Sequence, residues 1–232
     1  MLKLTTTTAR MLLFIAGMVC YLPWQAAGQS SADRLDPFEP SRNAIDSYYN
    51  HLYQQLLWRF ADRPLARVVV VPPFSPEYAL SVEEDAGGYL LKSNIRVAYY
   101  DVAAQKRVIV DKPMMVSRRI NRELAMRIQQ LFNVALRQTG SPADPGLDGV
   151  KYFFTAYNKK YGFMRGQTVS PAAATRTGAL VKICHQLIAY AKGQSNGEDS
   201  LLRNINVLTN KFESLNSVDL AITPPVKRAM EK

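Results

Sequence analysis

The residues that could carry out nucleophilic chemistry are few in this 232-residue chain. A cysteine or serine nucleophile needs a base within hydrogen-bond reach, usually a histidine, and the sequence contains only His51 and His185. Cys184 directly precedes His185, but neighbours on a helix point about 100° apart, so the two side chains are not expected to meet. His51 stands among three tyrosines, which is typical of a half-exposed ring. We therefore predict no catalytic centre at either histidine.

Metal and cofactor sites are not indicated by the residue spacing either. Two distant histidines and Cys184, the single cysteine outside the first 28 residues, supply no closed zinc set. Glu83-Glu84-Asp85 lacks the alternating ligand spacing of a calcium loop, so we interpret it as a solvated turn. Gly87-Gly88 is not followed by the Gly-Lys-Ser pattern of a phosphate-binding loop. A carboxylate pair of the glycosidase kind stays open, since any of the 19 acidic residues could pair in space.

One stretch, from Asp148 to Pro171, is richer in aromatic and basic residues than a core requires. Its two-residue periodicity predicts a hairpin with rings on both faces, of which one set packs against helices. Aromatic and arginine side chains dominate the energetics of binding surfaces. We therefore predict that the residues nearest the turn bind a partner, namely Tyr157, Lys159, Lys160, Tyr161 and Arg165. The alternative is a structural hairpin whose second face is covered by a helix.

The first 28 residues have the three zones of a secretory signal peptide. Lys3 and Arg10 lie in a polar lead, an apolar run follows over 11–22, and small residues end the segment at Gly28. The run of about 12 residues is shorter than the roughly 20 that a membrane-spanning helix needs. The sequence thus predicts cleavage near Gly28/Gln29 and a periplasmic or secreted protein, with no transmembrane segment after removal of the signal.

Size and charge limit what remains after residues 1–28 are removed. The remaining 204 residues suit one domain. Loss of Lys3 and Arg10 lowers the formal net charge from +10 to +8, which favours contact with anionic partners. The basic residues form no long run, so nucleic acid is not expected as a partner. Cys184 becomes the single cysteine, and helical spacing with Val181 and Leu187 predicts that its thiol is buried.

The periodicity of apolar residues predicts several strands and about four amphipathic helices. Strands are predicted over 67–71, 79–83, 89–100 and 107–110, and a second hairpin over 150–157 and 161–164. Helices are predicted over 45–60 and 120–136, from Ser170-Pro171 to Gly193, and over 201–215. The β-branched run 67–71 predicts a strand covered on both faces. Strands bunched between helices favour an α+β fold, in which an antiparallel sheet, a meander plus a second hairpin, packs against the helices.

These observations define a domain organisation and a set of functional hypotheses. Residues 29–40 are expected to form a flexible leader, 41–216 a single α+β domain and 217–232 a C-terminal tail. The leading hypothesis is an exported, non-enzymatic protein that binds an envelope or extracellular macromolecule, as an inhibitor, immunity-type protein or accessory subunit. The alternatives are a hydrolase of an envelope polymer or ester, and a peripheral binder of anionic lipid or polysaccharide. No cofactor is expected.

Overall fold

A computed structural model describes residues 33–38, 52–95, 98–101, 103–109, 114–140, 149–194 and 197–222. The predicted signal peptide over 1–28, His51 and the end of the chain from 223 lie outside these residues. Within them the α+β prediction is confirmed, with one large antiparallel sheet and four helices.

The strands and helices follow one another as a meander, a helix, a hairpin and two helices. The strands are β1 (Asp36–Pro37), β2 (Ala66–Val71), β3 (Tyr78–Asp85), β4 (Gly88–Ile95), β5 (Ala98–Asp101), β6 (Lys106–Ile109), β7 (Met114–Ile120), β8 (Lys151–Asn158) and β9 (Gly162–Val169). The helices are the segment 52–56, α1 (Arg122–Arg137), α2 (Arg176–Ala191) and α3 (Glu198–Ile222). Seven strands form an open sheet in the order β1-β9-β8-β2-β3-β4-β7, while β5 and β6 form a separate hairpin.

One face of the sheet is covered by the three long helices. α1 lies across β8 and the centre of the sheet, α2 lies over β4 and β7, and α3 packs on both helices. The rings of Phe132 on α1 and Phe154 on β8 meet edge to face with centroids 5.8 Å apart. Asn121 caps α1, because its Oδ1 accepts a hydrogen bond of 2.7 Å from the backbone N–H of Leu124. This face contains the main hydrophobic core of the protein.

The opposite face is covered at its centre by the helical segment 52–56 and the turn that follows it. Leu52, Leu56 and Phe60 form a second, smaller core. They pack against Val69 of β2 and Phe153 of β8, which point away from the first core. β2 is therefore buried on both faces, as its unbroken run of valines predicted.

A buried group of charges fastens this second cover to the sheet. Glu83 is 2% exposed, and its carboxylate pairs with Arg67 at 3.3 Å and with Lys92 at 2.8 Å. Glu83 also accepts a hydrogen bond from the N–H of Ala61, and Lys92 donates to the carbonyl of Arg59. The prediction of a solvated turn at Glu83 was therefore wrong. Alternation along β3 turns this side chain inward, while Glu84 and Asp85 are exposed as expected.

The structure differs from the sequence prediction at several boundaries. β7 was not predicted, and β9 extends to Val169 instead of ending at 164. α2 begins after Thr175, whose Oγ1 accepts from the N–H of Gly178, and not at Ser170-Pro171. Ser170 has a φ of 38°. Its Oγ accepts a hydrogen bond from the N–H of Val150, the residue before β8, so Ser170 links the start of β8 to the end of β9 and does not cap a helix.

Secondary structure is also found outside the predicted domain limits of 41 and 216. Residues 33–38 fall in the predicted flexible leader, yet Leu35 is fully buried and β1 pairs with β9. At the other end α3 continues to Ile222, beyond the predicted limit at 216. A single apolar residue followed by two paired residues leaves no periodic pattern in the sequence, which is why the contribution of Leu35 was not predicted.

We expect Glu83→Ala to lower the free energy of unfolding by about 3–5 kcal/mol, because it leaves a buried arginine and a partly buried lysine without their carboxylate. Urea denaturation of the purified domain measures this change. Glu84→Ala is the matched control, since Glu84 is the exposed neighbour on the same strand and should cost less than about 0.5 kcal/mol. Equal losses in the two variants would show that the charge group does not hold the cover to the sheet.

Candidate partner-binding surface

The hairpin of β8 and β9 reverses through a three-residue loop that its sequence specifies. Asn158 pairs with Gly162 across the ladder. The Oδ1 of Asn158 accepts from the N–H of Lys160 at 2.8 Å, and its carbonyl accepts from the N–H of Tyr161. Gly162 has a φ of 72°, a left-handed conformation that glycine adopts without strain. The predicted reversal over 158–160 is therefore confirmed.

The two faces of this hairpin are covered to different extents. Tyr152 and Phe154 point to the main core and are buried. Phe153 points to the opposite face and is buried too, because Phe38 and Tyr53 lie against its ring. The residues that cover this second face do not extend beyond Phe153 towards the turn. Towards the turn the side chains that share the face with Phe153 lie partly or largely in solvent.

Those uncovered side chains form what we call the aromatic-basic patch, made of Arg63, Tyr157, Phe163 and Arg165. The rings of Tyr157 and Phe163 are cross-strand partners and meet edge to face with centroids 5.1 Å apart. The guanidinium of Arg63 lies 5.1 Å from the ring of Tyr157, and that of Arg165 lies 5.4 Å from the ring of Phe163. Both distances fall within cation–π range. Phe163 remains 44% exposed.

Tyr161 lies on the other side of the turn, towards α1. Its ring is 47% exposed and has the ammonium of Lys160 at 5.1 Å and the guanidinium of Arg137 at 5.6 Å. The hydrogen bond and positive charge of Lys160, followed by those of Arg137, lower the pKa of the Tyr161 phenol. A phenol whose pKa is lowered by neighbouring cations is a stronger hydrogen-bond donor than an isolated one.

The five residues that the sequence selected are thus divided between two surfaces. Tyr157 and Arg165 lie in the aromatic-basic patch, Tyr161 lies beside α1, and Lys159 and Lys160 are exposed at the turn between them.

Sequence reasoning missed Phe163, Arg63 and Arg137 as neighbours of these residues. Phe163 could have been added to the predicted site, because a hairpin that turns at 158–160 places it directly opposite Tyr157. Arg63 and Arg137 come from distant parts of the chain, so no local pattern in the sequence indicated them.

The cations of this region are available to an anionic partner. Arg63, Lys159, Lys160 and Arg165 form no ion pair with any carboxylate among the residues that the structure describes. Asp62, next to Arg63, is an exposed acidic neighbour in the sequence. Among these described residues the four cations outnumber Asp62, and their positive charge is combined with the exposed ring of Phe163.

Cys184 and His185 do not form a catalytic pair. Cys184 points into the main core and is 1% exposed, and burial raises the pKa of its thiol to about 12. His185 lies at the surface of α2, where its Nε2 is 2.9 Å from the hydroxyl of Tyr78. Partial burial beside Tyr78 and Tyr152 lowers the pKa of His185, and partial burial also raises the pKa of both phenols. The predicted burial of Cys184 is confirmed.

In the described part of the chain, no group of three or more His, Cys, Asp or Glu side chains is placed to hold a metal ion. No helix in the same residues combines the length and the apolar character that crossing a membrane requires.

The fold and the hairpin define an α+β protein with an open antiparallel sheet and an exposed aromatic-basic surface beside its turn. In comparisons with protein-family models, curated proteins and solved structures, nothing matched this chain. The function is therefore argued from the residues themselves.

We expect the stability of the protein to fall as the pH drops from about 7.5 to 5, in part through His185. Its folded pKa is lowered, so below the ordinary value of about 6.5 the unfolded chain binds the proton more readily than the folded one. The stabilisation is therefore complete above the unfolded pKa and is lost as the pH falls through the folded pKa. Urea denaturation at a series of pH values should show a shallower pH dependence for His185→Gln than for the wild type. Parallel curves for the two proteins would contradict this assignment.

Proposed function

We propose that this chain is a non-enzymatic protein that binds an acidic protein partner through the aromatic-basic patch and the lysines of the neighbouring turn. The observation that carries the proposal is the arrangement of Phe163. This large apolar ring stays 44% exposed, although the fold buries Phe153 on the same face of the same hairpin.

The chemistry of the patch fits an acidic protein surface. Tyrosine, phenylalanine and arginine provide large contact area with few rotatable bonds, which is why aromatic and arginine residues dominate binding energies. Arg63 and Arg165 are already oriented by their contacts with the two rings, so little rotamer entropy remains to be lost when a carboxylate binds. The lysines at the turn, which pair with no carboxylate among the described residues, add long-range attraction for a negatively charged partner.

The other two hypotheses receive less support from the described residues. A hydrolase needs an acid or base that can reach a substrate, and the most deeply buried glutamate, Glu83, is bound by two cations and a backbone N–H. A face that binds lipid head groups needs basic residues more than rings. On the patch the rings are central, with an arginine over each of them.

We expect the double variant Phe163→Ala with Arg165→Ala to weaken capture of the native partner by about 2 kcal/mol, or roughly 30-fold, because it removes one ring and its cation. Capture from the host envelope onto immobilised protein, titrated against free protein, measures the affinity. The melting temperature should change little, since both side chains are exposed.

The matched control is Val207→Ala with Arg203→Ala on α3, which also removes an exposed apolar side chain and an exposed arginine. This control should keep the wild-type affinity. A lower melting temperature with unchanged affinity in the Phe163/Arg165 variant would show that the patch is structural.

We also propose that the chain is exported, on the basis of the three-zone sequence over residues 1–28. N-terminal sequencing of the protein from its host should find Gln29 or a close neighbour as the first residue. Recovery of an intact Met1 from the soluble cytoplasmic fraction would contradict export.

A further inference from the structure

A groove of about 420 Å³ lies on the other side of the hairpin turn from the aromatic-basic patch. Its walls come from the exposed side of α1, from the turn after β8 and from Glu213 on α3. A volume of this size falls within the range of small-molecule sites. The groove shares no lining residue with the patch, so what it binds is a separate question from the protein partner proposed above.

Four of the ten residues that line the groove carry side-chain amides, and Met126 and Val134 add apolar surface. Gln129, Gln130 and Asn133 lie on α1, and Asn158 stands at the start of the turn. Each amide offers two N–H donors and a carbonyl acceptor on one planar group. Such groups suit a ligand whose polar groups both donate and accept hydrogen bonds, as neighbouring sugar hydroxyls do.

The polar groups of the groove are already held in position by one another. Arg127 donates to the Oε1 of Gln130 at 3.2 Å, and the Nε2 of Gln130 donates to Glu213 at 3.2 Å. One acceptor remains unused, because the Oδ1 of Asn133 is shielded from solvent and meets no hydrogen-bond donor in the described structure. Because this oxygen is shielded, a ligand in the groove would meet the other amide groups and not this one.

Tyr161 adds an exposed ring to this polar groove. Its ring face is electron-rich, and the C–H face of a pyranose ring is apolar with partly positive hydrogens, so the two surfaces are complementary. Arg137 lies beside the ring, lines the groove and donates from Nε to the carbonyl of Asn133. Together with Arg127 it outweighs the single negative charge of Glu213.

We infer that this groove binds an acidic oligosaccharide, with a sugar ring on Tyr161, hydroxyls on the amides and a carboxylate near Arg137. An acidic peptide fits less well, because it offers few hydroxyls to the four amides, although Met126 adds one exposed apolar side chain to the lining. A phospholipid head group would call for a denser cluster of cations than two arginines partly opposed by a glutamate.

The inference is tested by titration calorimetry of the purified chain with three probes at low ionic strength. These are trigalacturonic acid, the neutral maltotriose and a hexaglutamate peptide. We expect trigalacturonic acid to bind at least tenfold more tightly than maltotriose, because only the former presents carboxylates to Arg137. Hexaglutamate should bind weakly, since it has carboxylates but no hydroxyls for the amides.

Single substitutions then locate the site. Tyr161→Ala and Gln130→Ala should each weaken trigalacturonic acid at least tenfold, and Arg137→Gln should abolish its advantage over maltotriose. Phe163→Ala, on the opposite face of the same hairpin, is the matched control and should leave the affinity unchanged. Melting temperatures check that each variant is folded.

Three results would overturn the inference. The first is the absence of binding by both saccharides, and the second is binding of hexaglutamate as tight as that of trigalacturonic acid. The third is an equal loss of affinity in Phe163→Ala, which would move the site to the patch. Capture of the protein partner by the patch is measured separately, so failure of the groove and failure of the proposed function are distinguishable.

Discussion

The central strand β2 has apolar side chains on both of its faces, and the rest of the architecture follows from that constraint. A sheet strand with valines at four successive positions cannot leave either face in water without exposing a large apolar area. The long helices cover one face, and the short segment around residues 52–60 covers the other. The second cover is small, so it reaches only the middle of the sheet. The β8–β9 hairpin continues beyond it, and this is where rings stay exposed.

The short cover also explains why charges are buried beneath it. The turn after the helical segment has backbone groups that need partners, and Glu83 and Lys92 supply them from the sheet. A buried carboxylate between two cations is seldom more stabilising than a well-packed apolar group would be, yet removing one member leaves the others uncompensated. The charge group therefore specifies where the turn sits more than it adds to stability. The position of that turn determines where the cover formed by residues 52–60 ends, which is between Phe153 and Tyr157.

The sequence predicted the parts of the fold that depend on short-range periodicity and failed where one residue acts through a distant neighbour. The valine run, the hairpin turn at Asn158 and the buried face of α2 at Cys184 all leave a local pattern, and each is confirmed. Glu83 was misread because its acidic neighbours suggested a turn, whereas its burial depends on Arg67 and Lys92 on adjacent strands. β7 was missed because its exposed and half-buried residues alternate polar and apolar types only weakly.

The candidate site shows the same division between local and distant information. Hairpin register brings Tyr157 and Phe163 together, and that pairing is in principle readable from the sequence. The cations that lie over Tyr157 and Tyr161 are not, because Arg63 comes from the end of the short cover and Arg137 from the last turn of α1. The turn region thus lies where three segments that are distant from one another in the sequence meet. Each side of the hairpin acquires a different chemistry from the segment beside it: arginines over rings on one face, amides of α1 around Tyr161 on the other. A single hairpin that extends beyond the segment covering it is therefore enough to create two unlike surfaces, and neither surface needs the main core to change.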